Sequence, residues 1–303
     1  MLGKVLGKLL QPRSQAPVTG SARRFVLVLM RPSIGRHLEV FREVIDVVAA
    51  GLSELGYESS VKVNEFVSGA DHIVFCPRLL RVEDVDTVPA STILYNFEPL
   101  SVPVFDARRA FLSHYAPRFR VWDYSAANVE YLNALGCSAR HVPLGYAAPL
   151  TRIAPARLQD IDVLFYGEIT ARRAHILDGL RATGLKVAAV SDIYGAERDA
   201  LIARTKVVLN VHNSDAIRAL ESPRVVYLLA NRKAVVTERK ADVEIDADLV
   251  AAMAGAPYEG LVDACIGLVR DAARRAALEE AGFRCIRTRD EARILAAALD
   301  AQR

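Results

Sequence analysis

"IDVLFYGEITARRAHILDGLRATGLKVAAV", residues 161–190, places two apolar runs of strand length on either side of a segment with helical spacing. The first run ends at Tyr166 and Gly167. Thr170 follows, a residue type whose hydroxyl caps helix N-termini, and Gly184 stands where the helix should stop. Short, unbroken apolar runs suit strands covered on both faces, and strand–helix–strand order builds a parallel sheet. The alternation continues downstream. "AERDALIART" reads as a helix, "KVVLNVH" as a strand, "SPRVVYLLANR" as a helix and "KAVVTE" as a strand. From Asp248 to Gln302 the chain reads as mostly helical and alanine-rich.

An earlier series has the same character. "RFVLVLM" is a strand, and Val40, Phe41, Val44, Ile45 and Val48 recur at helical spacing between Leu38 and Leu55. "SSVKVNEF", "DHIVFCP" and "STILYNFE" read as strands, "DARRAFLSHYA" and "SAANVEYLNALG" as helices, and "ARHVPLGY" as a last strand entering a loop. The pattern restarts near residues 154–160. The expectation is an α/β chain of two Rossmann-like domains facing each other across a cleft. Residues 1–21 form an N-terminal segment and a polar linker, 22–153 the first domain, and 154–303 the second with its helical C-terminus.

Composition narrows the function classes. The chain has 303 residues, 52% of them apolar, and a net charge of +3, too small to indicate nucleic acid. The four cysteines (Cys76, Cys137, Cys265 and Cys285) are far apart, which reads as reduced thiols in the cytoplasm. There is no GxGxxG, so a nicotinamide or flavin site is not indicated. No apolar stretch reaches the length of a membrane span. Residues 1–13, "MLGKVLGKLLQPR", are amphipathic and basic. They read as a first helix, or as a peripheral foot on an anionic membrane face through Lys4 and Lys8. The DxD triplets at 84–86, 160–162 and 246–248 read as solvated carboxylates, so no metal is expected.

Open parallel sheets bind ligands at the carboxyl ends of their strands, beside helix N-termini. Tyr166 and Gly167 stand at such an end, and Arg172 and Arg173 fall in the next helix's first turn. Cations are unfavourable there unless an anion is bound. They read as diphosphate ligands or as solvated arginines. Asn210 and His212 end the next strand. His212 reads as a catalytic-site residue or as a satisfied structural histidine. Glu221 and Arg224 open the following helix. They read as a carboxylate for ribose hydroxyls beside an arginine for phosphate, or as a cap with a local ion pair. Glu238 closes a strand on the same side as a lesser candidate. In the first half, Glu98 and Asp123 follow strand-like runs, and His37 and Ser33 follow the first strand.

"DVLFYGEITARRAHILDGLRATG", "YGAERDALIARTKVVLNVH" and "ESPRVVYLLANRKAVVTE" resemble the nucleotide-binding domain of GT-B glycosyltransferases, in particular the bacterial family 1/4-like group. "ILYNFEPL", "VWDYSAANVEYL" and "HVPLGY" resemble segments of the same proteins, so the likeness covers roughly residues 90–240. It implies a nucleotide-diphosphate sugar in the second domain, a glycan or lipid-linked acceptor in the first, and transfer in the cleft with no cofactor or metal. By the same resemblance Glu98, first, and Asp123 are the candidates for a catalytic base if the reaction inverts, Glu98 reading otherwise as a helix-capping or loop-bracing carboxylate. His37 and Ser33 are candidates for the floor near the diphosphate, Trp122 and Tyr124 for stacking on an acceptor sugar or for packing, and backbone groups around Val190–Tyr194 for reading the nucleobase. Many retaining members carry a pair of glutamates across the helix that starts at Glu221. Here Leu228–Leu229 stand where the second would fall, which leaves the stereochemical outcome open. Two other readings of the scaffold remain: a nucleotide-sugar epimerase or pyruvyl transferase, and a non-catalytic nucleotide-sugar-binding domain.

Overall fold

The computed structural model describes residues 23–31, 37–100, 111–243 and 245–300. The basic segment 1–13 and its expected membrane contact lie outside them, as does Ser33. The first series of elements is β1 (Arg24–Leu29), α1 (Arg42–Glu54), β2 (Glu58–Val63), β3 (Asp71–Phe75), β4 (Ile93–Asn96), β5 (Arg120–Asp123), α2 (Ala126–Ala134) and β6 (Ala139–His141). Its strands form one parallel sheet in the order β2-β1-β3-β4-β5-β6. The second series is β7 (Ile161–Tyr166), α3 (Ala171–Ala182), β8 (Val187–Val190), α4 (Gly195–Ala203), β9 (Thr205–Asn210), α5 (Ser222–Ala230), β10 (Ala234–Glu238), α6 (Ala247–Val250) and β11 (Ala254–Ala256). The helices α7 (Leu261–Arg270), α8 (Ala272–Arg287) and α9 (Glu291–Asp300) follow. This sheet is also parallel, in the order β11-β10-β9-β7-β8. β11 lies in a stretch that reads as helical. Its Ala-Gly-Ala has no apolar periodicity, and pairing with β10 alone makes it a strand.

Both sheets are covered on both faces, which is why their strands are apolar without alternation. From β1, Phe25 and Leu27 enter the core between the sheets, while Val26 and Val28 enter the outer core of the first half. From β7, Leu164 joins the central core, and Val163 and Phe165 join the outer core of the second half. Edge strand β2 is the exception, with Val61 and Val63 about half exposed.

The central core also takes residues of α1, α5 and α9. Thus α9, although last in sequence, packs on α1 of the first half. A Cβ on Gly51 would lie 2.8 Å from Glu291 Cγ and 2.9 Å from Leu295 Cδ1, so only glycine admits that helix. The chain therefore crosses between the halves twice, and the crossings are tied together. Tyr146 N–H donates to the Arg289 carbonyl at 2.6 Å, and Glu291 N–H donates to the Tyr146 carbonyl at 3.1 Å. The Asn231 side chain clamps the first crossing. Its Oδ1 accepts from Arg152 N–H (2.9 Å) and Ile153 N–H (2.8 Å), and its Nδ2 donates to the Leu150 and Tyr227 carbonyls, both at 2.8 Å.

Glu291 is buried at this junction. Its Oε2 accepts from Gly145 N–H at 2.7 Å, while its Oε1 has no partner. Burial pushes its carboxyl up to about 7, the Gly145 bond pulling the other way and Asp290 adding to the rise. A carboxyl raised in the folded state holds its proton more tightly than in the unfolded chain, so its ionisation favours unfolding. Stability contributed by neutral Glu291 is present below its ordinary range and is lost as pH rises through about 7. We expect the melting temperature to fall between pH 5 and pH 8, and to fall less in Glu291→Gln. Equal slopes by scanning calorimetry contradict this.

Candidate functional site

In the second sheet β7 lies between β8 and β9, so the chain reverses direction across the sheet at the β7/β9 boundary. That is the place where a parallel sheet opens a crevice. The carboxyl end of β7 supplies Tyr166 and Gly167, and the end of β9 supplies Asn210, Val211 and His212. Gly167 has φ of 138°, a conformation that favours glycine. A Cβ there would lie 3.0 Å from Arg224 Nη2 and 3.9 Å from Arg173 Nη1. Two guanidiniums thus converge on the one backbone position that has no side chain.

One carboxylate joins them. Arg173 Nη2 donates to Glu221 Oε1 at 2.8 Å, and Arg224 pairs with Glu221 Oε2. Arg173 is 4% exposed; its Nε donates to the Val211 carbonyl (2.9 Å) and its Nη1 to the Glu168 carbonyl (3.0 Å). Burial and the neighbouring Arg224 lower its pKa against the pull of Glu221. Arg224 Nη1 donates to Asn210 Oδ1 at 3.0 Å, and Asn210 Nδ2 donates to Thr237 Oγ1 at 3.0 Å. Burial works to raise the Glu221 carboxyl. Arg224, Arg173 and His212 outweigh it and hold the group below its ordinary range. Glu221 occupies the N-cap position of α5 and makes no side-chain cap bond, so of the alternative reading the cap is absent while the local ion pair, with Arg224, is present.

Arg172 is placed otherwise than expected. Its Nη1 and Nη2 donate to Glu238 Oε2 (2.8 Å) and Oε1 (2.6 Å), its Nη1 also reaches the His212 carbonyl (3.1 Å), and Asp215 pairs with it at 2.8 Å. Its guanidinium lies 3.9 Å from the centroid of the Tyr258 ring. The anion that a first-turn cation requires is here a protein carboxylate, and Glu238 is 1% exposed. Arg172 is therefore corrected from diphosphate ligand to brace between the ends of β9 and β10, and it is not a solvated arginine either. The same Glu238 accepts from His212 N–H at 3.1 Å. The His212 ring is fully buried, and neither of its nitrogens has a partner among the described residues. Burial lowers its pKa, opposed by Glu221 and Glu238 and aided by Lys240 and Arg172. Among the described residues His212 thus has neither the exposure of a catalytic residue nor the hydrogen bonds of a satisfied structural one.

The first-half candidates divide. Glu98 is partly exposed, and its Oε1 accepts from Arg78 Nε at 2.5 Å. Asp123 is fully buried. Its Oδ1 accepts from Ser125 N–H (2.9 Å) and Asn128 Nδ2 (3.0 Å), and its Oδ2 accepts from Asn96 Nδ2 (2.7 Å) and Asn128 Nδ2 (3.2 Å). Burial pushes the carboxyl up to about 7, partly offset by these bonds. With both oxygens occupied and no exposure, Asp123 braces β4, β5 and α2, and the expectation that it serves as a base is corrected on that ground. Trp122 is 1% exposed and meets Tyr95 edge-on, and Tyr124 stacks on Phe97, so both pack. His37 opens a helical turn, His37–Phe41, before α1.

The acidic triplets are paired rather than merely solvated. Asp84 meets Arg81, Asp160 meets Arg204, Asp162 meets Lys206, and Asp246 and Asp248 meet Arg289. Among the described residues no group of three or more His, Cys, Asp or Glu is placed to hold a metal ion. Two residues behind the crevice escaped sequence reasoning. Glu43 on α1 and Arg198 on α4 are 6% and 4% exposed and meet across the two halves at 2.8 Å. The available signal was Glu43 in helical register with Val47, a carboxylate on the apolar face of α1.

No family model matches the chain. It is 29% identical over 237 residues, 75% of each chain, to uncharacterized protein L140 of Acanthamoeba polyphaga mimivirus. Solved structures carry the comparison further. HepE of Anabaena in complex with UDP-glucose superposes with a TM-score of 0.62 at 12% identity, over 92% of this chain and 99% of that one. A glycosyltransferase from Rickettsia africae ESF-5 superposes at 0.58 and 10% identity, over 93% and 98%. WaaG, a glycosyltransferase involved in lipopolysaccharide biosynthesis, superposes at 0.55 and 11% identity, over 92% and 99%. The fold is GT-B. In the present chain that fold consists of two parallel sheets with helices on their faces. Among the described residues no helix is long and apolar enough to cross a membrane.

Proposed function

We propose that the chain is a glycosyltransferase of the family 1/4-like group, moving a sugar from a nucleotide-diphosphate donor to a glycan or lipid-linked acceptor without a metal. One observation carries this reading: Arg224, partly exposed and held by Glu221, stands nearest the bare Gly167 backbone at the β7/β9 crevice, beside the N-terminus of α3, while Arg173, 4% exposed and bonded to Glu221, Val211 and Glu168, braces that carboxylate from behind as Arg172 braces the strand ends. Fixed guanidiniums and free helix N–H groups stabilise the charge that develops on a departing diphosphate. In transfer, an acceptor oxygen bonds to the anomeric carbon as the bond from that carbon to the diphosphate oxygen breaks. The leaving group takes the electron pair, and the acceptor proton passes to a base or to the diphosphate. Glu221 serves the ribose or sugar hydroxyls, and His212 presents an uncharged imidazole behind the pocket. Glu98, the partly exposed first-half carboxylate, takes the acceptor side. UDP is the first nucleotide to test because structures of the neighbour HepE hold UDP and UDP-glucose.

The test is a thermal-shift screen against UDP, GDP, TDP, CDP and their sugars, each with EDTA. A ligand at a hundred times its dissociation constant adds about 2.7 kcal/mol. We expect UDP and a UDP-sugar to raise the melting temperature and EDTA to leave that rise unchanged. No shift with any diphosphate removes the proposal. UDP release that depends on an added acceptor separates transfer from epimerisation and from binding alone.

A further inference from the structure

Behind the crevice, charge from the first half enters the second. Glu43 Oε1 accepts from Arg198 Nη2 at 2.8 Å and from Arg152 Nη2 at 2.7 Å. Arg198 comes from α4, and Arg152 from the segment that leads into the second half. The Arg198 guanidinium lies 4.5 Å from the Tyr227 ring centroid and 6.0 Å from that of Tyr166, within the range of cation–π attraction. The same Tyr166 ring has the Arg224 guanidinium 5.1 Å from its centroid. One aromatic ring at the end of β7 is thus shared by two ion pairs: Glu43–Arg198 across the halves, and Glu221–Arg224 in the crevice. The Tyr166 hydroxyl registers all four charges. Burial pushes it up to about 12, Arg224 and Arg198 draw it down, and Glu43 and Glu221 push it further up.

We propose that Glu43 is a positioning residue for the nucleotide pocket: through Arg198 and the Tyr166 ring it sets where Arg224 stands, so the pocket is complete only when the two halves are docked. Arg198 without Glu43 keeps Asp199, to which its Nη2 and Nε donate at 2.8 and 3.2 Å. A buried guanidinium follows its remaining carboxylate, and the packing on Tyr166 follows the guanidinium. Arg152 shares the Glu43 carboxylate and meets Arg198 again at Asp199, to whose Oδ2 its Nε donates at 3.2 Å, and at Tyr227, whose hydroxyl accepts from the same Nε at 2.9 Å and whose ring centroid lies 5.1 Å from the Arg152 guanidinium. Of the two arginines on Glu43, Arg198 brings its guanidinium to the Tyr166 ring.

The choice of ligand rests on the proposed function, whereas the geometry does not, and the experiment keeps them apart. Three variants, Glu43→Gln, Arg198→Lys and Arg152→Gln, are compared with the unaltered chain in two ways. The first is the Arg224 side-chain Nε–H resonance in nucleotide-free protein, assigned with Arg224→Lys. The second is UDP affinity by calorimetry. Glu43→Gln and Arg198→Lys are expected to move the Arg224 resonance and to weaken UDP binding about tenfold, within the usual range of coupling between sites. Arg152→Gln, which breaks a bond to the same carboxylate and one to Asp199, is expected to have a clearly smaller effect on both. An unmoved Arg224 resonance in Glu43→Gln, or an effect of Arg152→Gln equal to that of Glu43→Gln, overturns the positioning role and leaves a plain interdomain ion pair. If Glu43→Gln does not fold, Arg198→Lys decides by the same two readouts. If UDP fails to bind the unaltered chain while the resonance moves, the nucleotide reading is lost and the positioning role stands.

Discussion

Arg224→Ala is expected to weaken UDP binding about a hundredfold while shifting the melting temperature little. Arg224 is partly exposed at the crevice, and its Nη2 stands nearest the bare Gly167 backbone. In the proposed complex the change removes charge-assisted bonding to phosphate, a net loss of about 1.5–3 kcal/mol. A loss of about 2.7 kcal/mol corresponds to the hundredfold effect. Glu221 keeps Arg173 at 2.8 Å and is itself partly exposed, so no uncompensated buried charge is left behind. Arg224→Lys is expected to fall between the two, because an ammonium lacks the planar fork that grips two phosphate oxygens. Calorimetric affinity for UDP within twofold of the unaltered chain removes Arg224 from the pocket.

Glu238→Ala acts on stability instead. Glu238 is 1% exposed, receives both terminal nitrogens of Arg172 and accepts the His212 backbone N–H. Deleting one partner of a buried pair leaves the other with its desolvation cost unmet, typically about 3–5 kcal/mol. Among the described residues Asp215 is the only other carboxylate paired with Arg172, and it is largely exposed, so it offsets little of that cost. For a chain of this size the melting temperature should drop by roughly 5–8 °C. A drop under 2 °C in scanning calorimetry contradicts the account. The pair of predictions separates an arginine in the first turn of α5 from one in the first turn of α3: Arg224 bears on ligand affinity, Arg172 on the integrity of the strand ends.

That separation marks where sequence reading stopped. The strand ends at Tyr166–Gly167 and Asn210–His212 are legible because unbroken apolar runs of strand length, each closed by polar residues or glycine, can only be buried strands opening into loops. Glu221 and Arg224 are legible because Pro223 marks the first turn of a helix beginning there. Arg172 and Arg173 were indistinguishable in sequence: adjacent, identical and both in a first turn. Helical geometry turns successive side chains about 100° apart, so one meets Glu238 and the other Glu221. The partner, not the residue, decides the role. Asp123 and Glu98 show the same limit. Each is a carboxylate after a strand, yet Asp123 is closed in by Asn96, Asn128 and Ser125, while Glu98 meets Arg78 and stays partly exposed.

By itself the sequence determined two parallel α/β series, their order, and the strand ends where a crevice forms, because burial on both faces writes itself into unbroken apolar runs. It also supplied the resemblance that pointed to GT-B. Only the tertiary structure decided which charges are already paired, that α9 returns to α1, and that Glu43 of the first half reaches Arg198 behind the pocket. These depend on side chains meeting across 48 to 155 positions of chain. Local pattern carries no information about such distances, because an ion pair is chosen by where two elements dock and not by what precedes either residue.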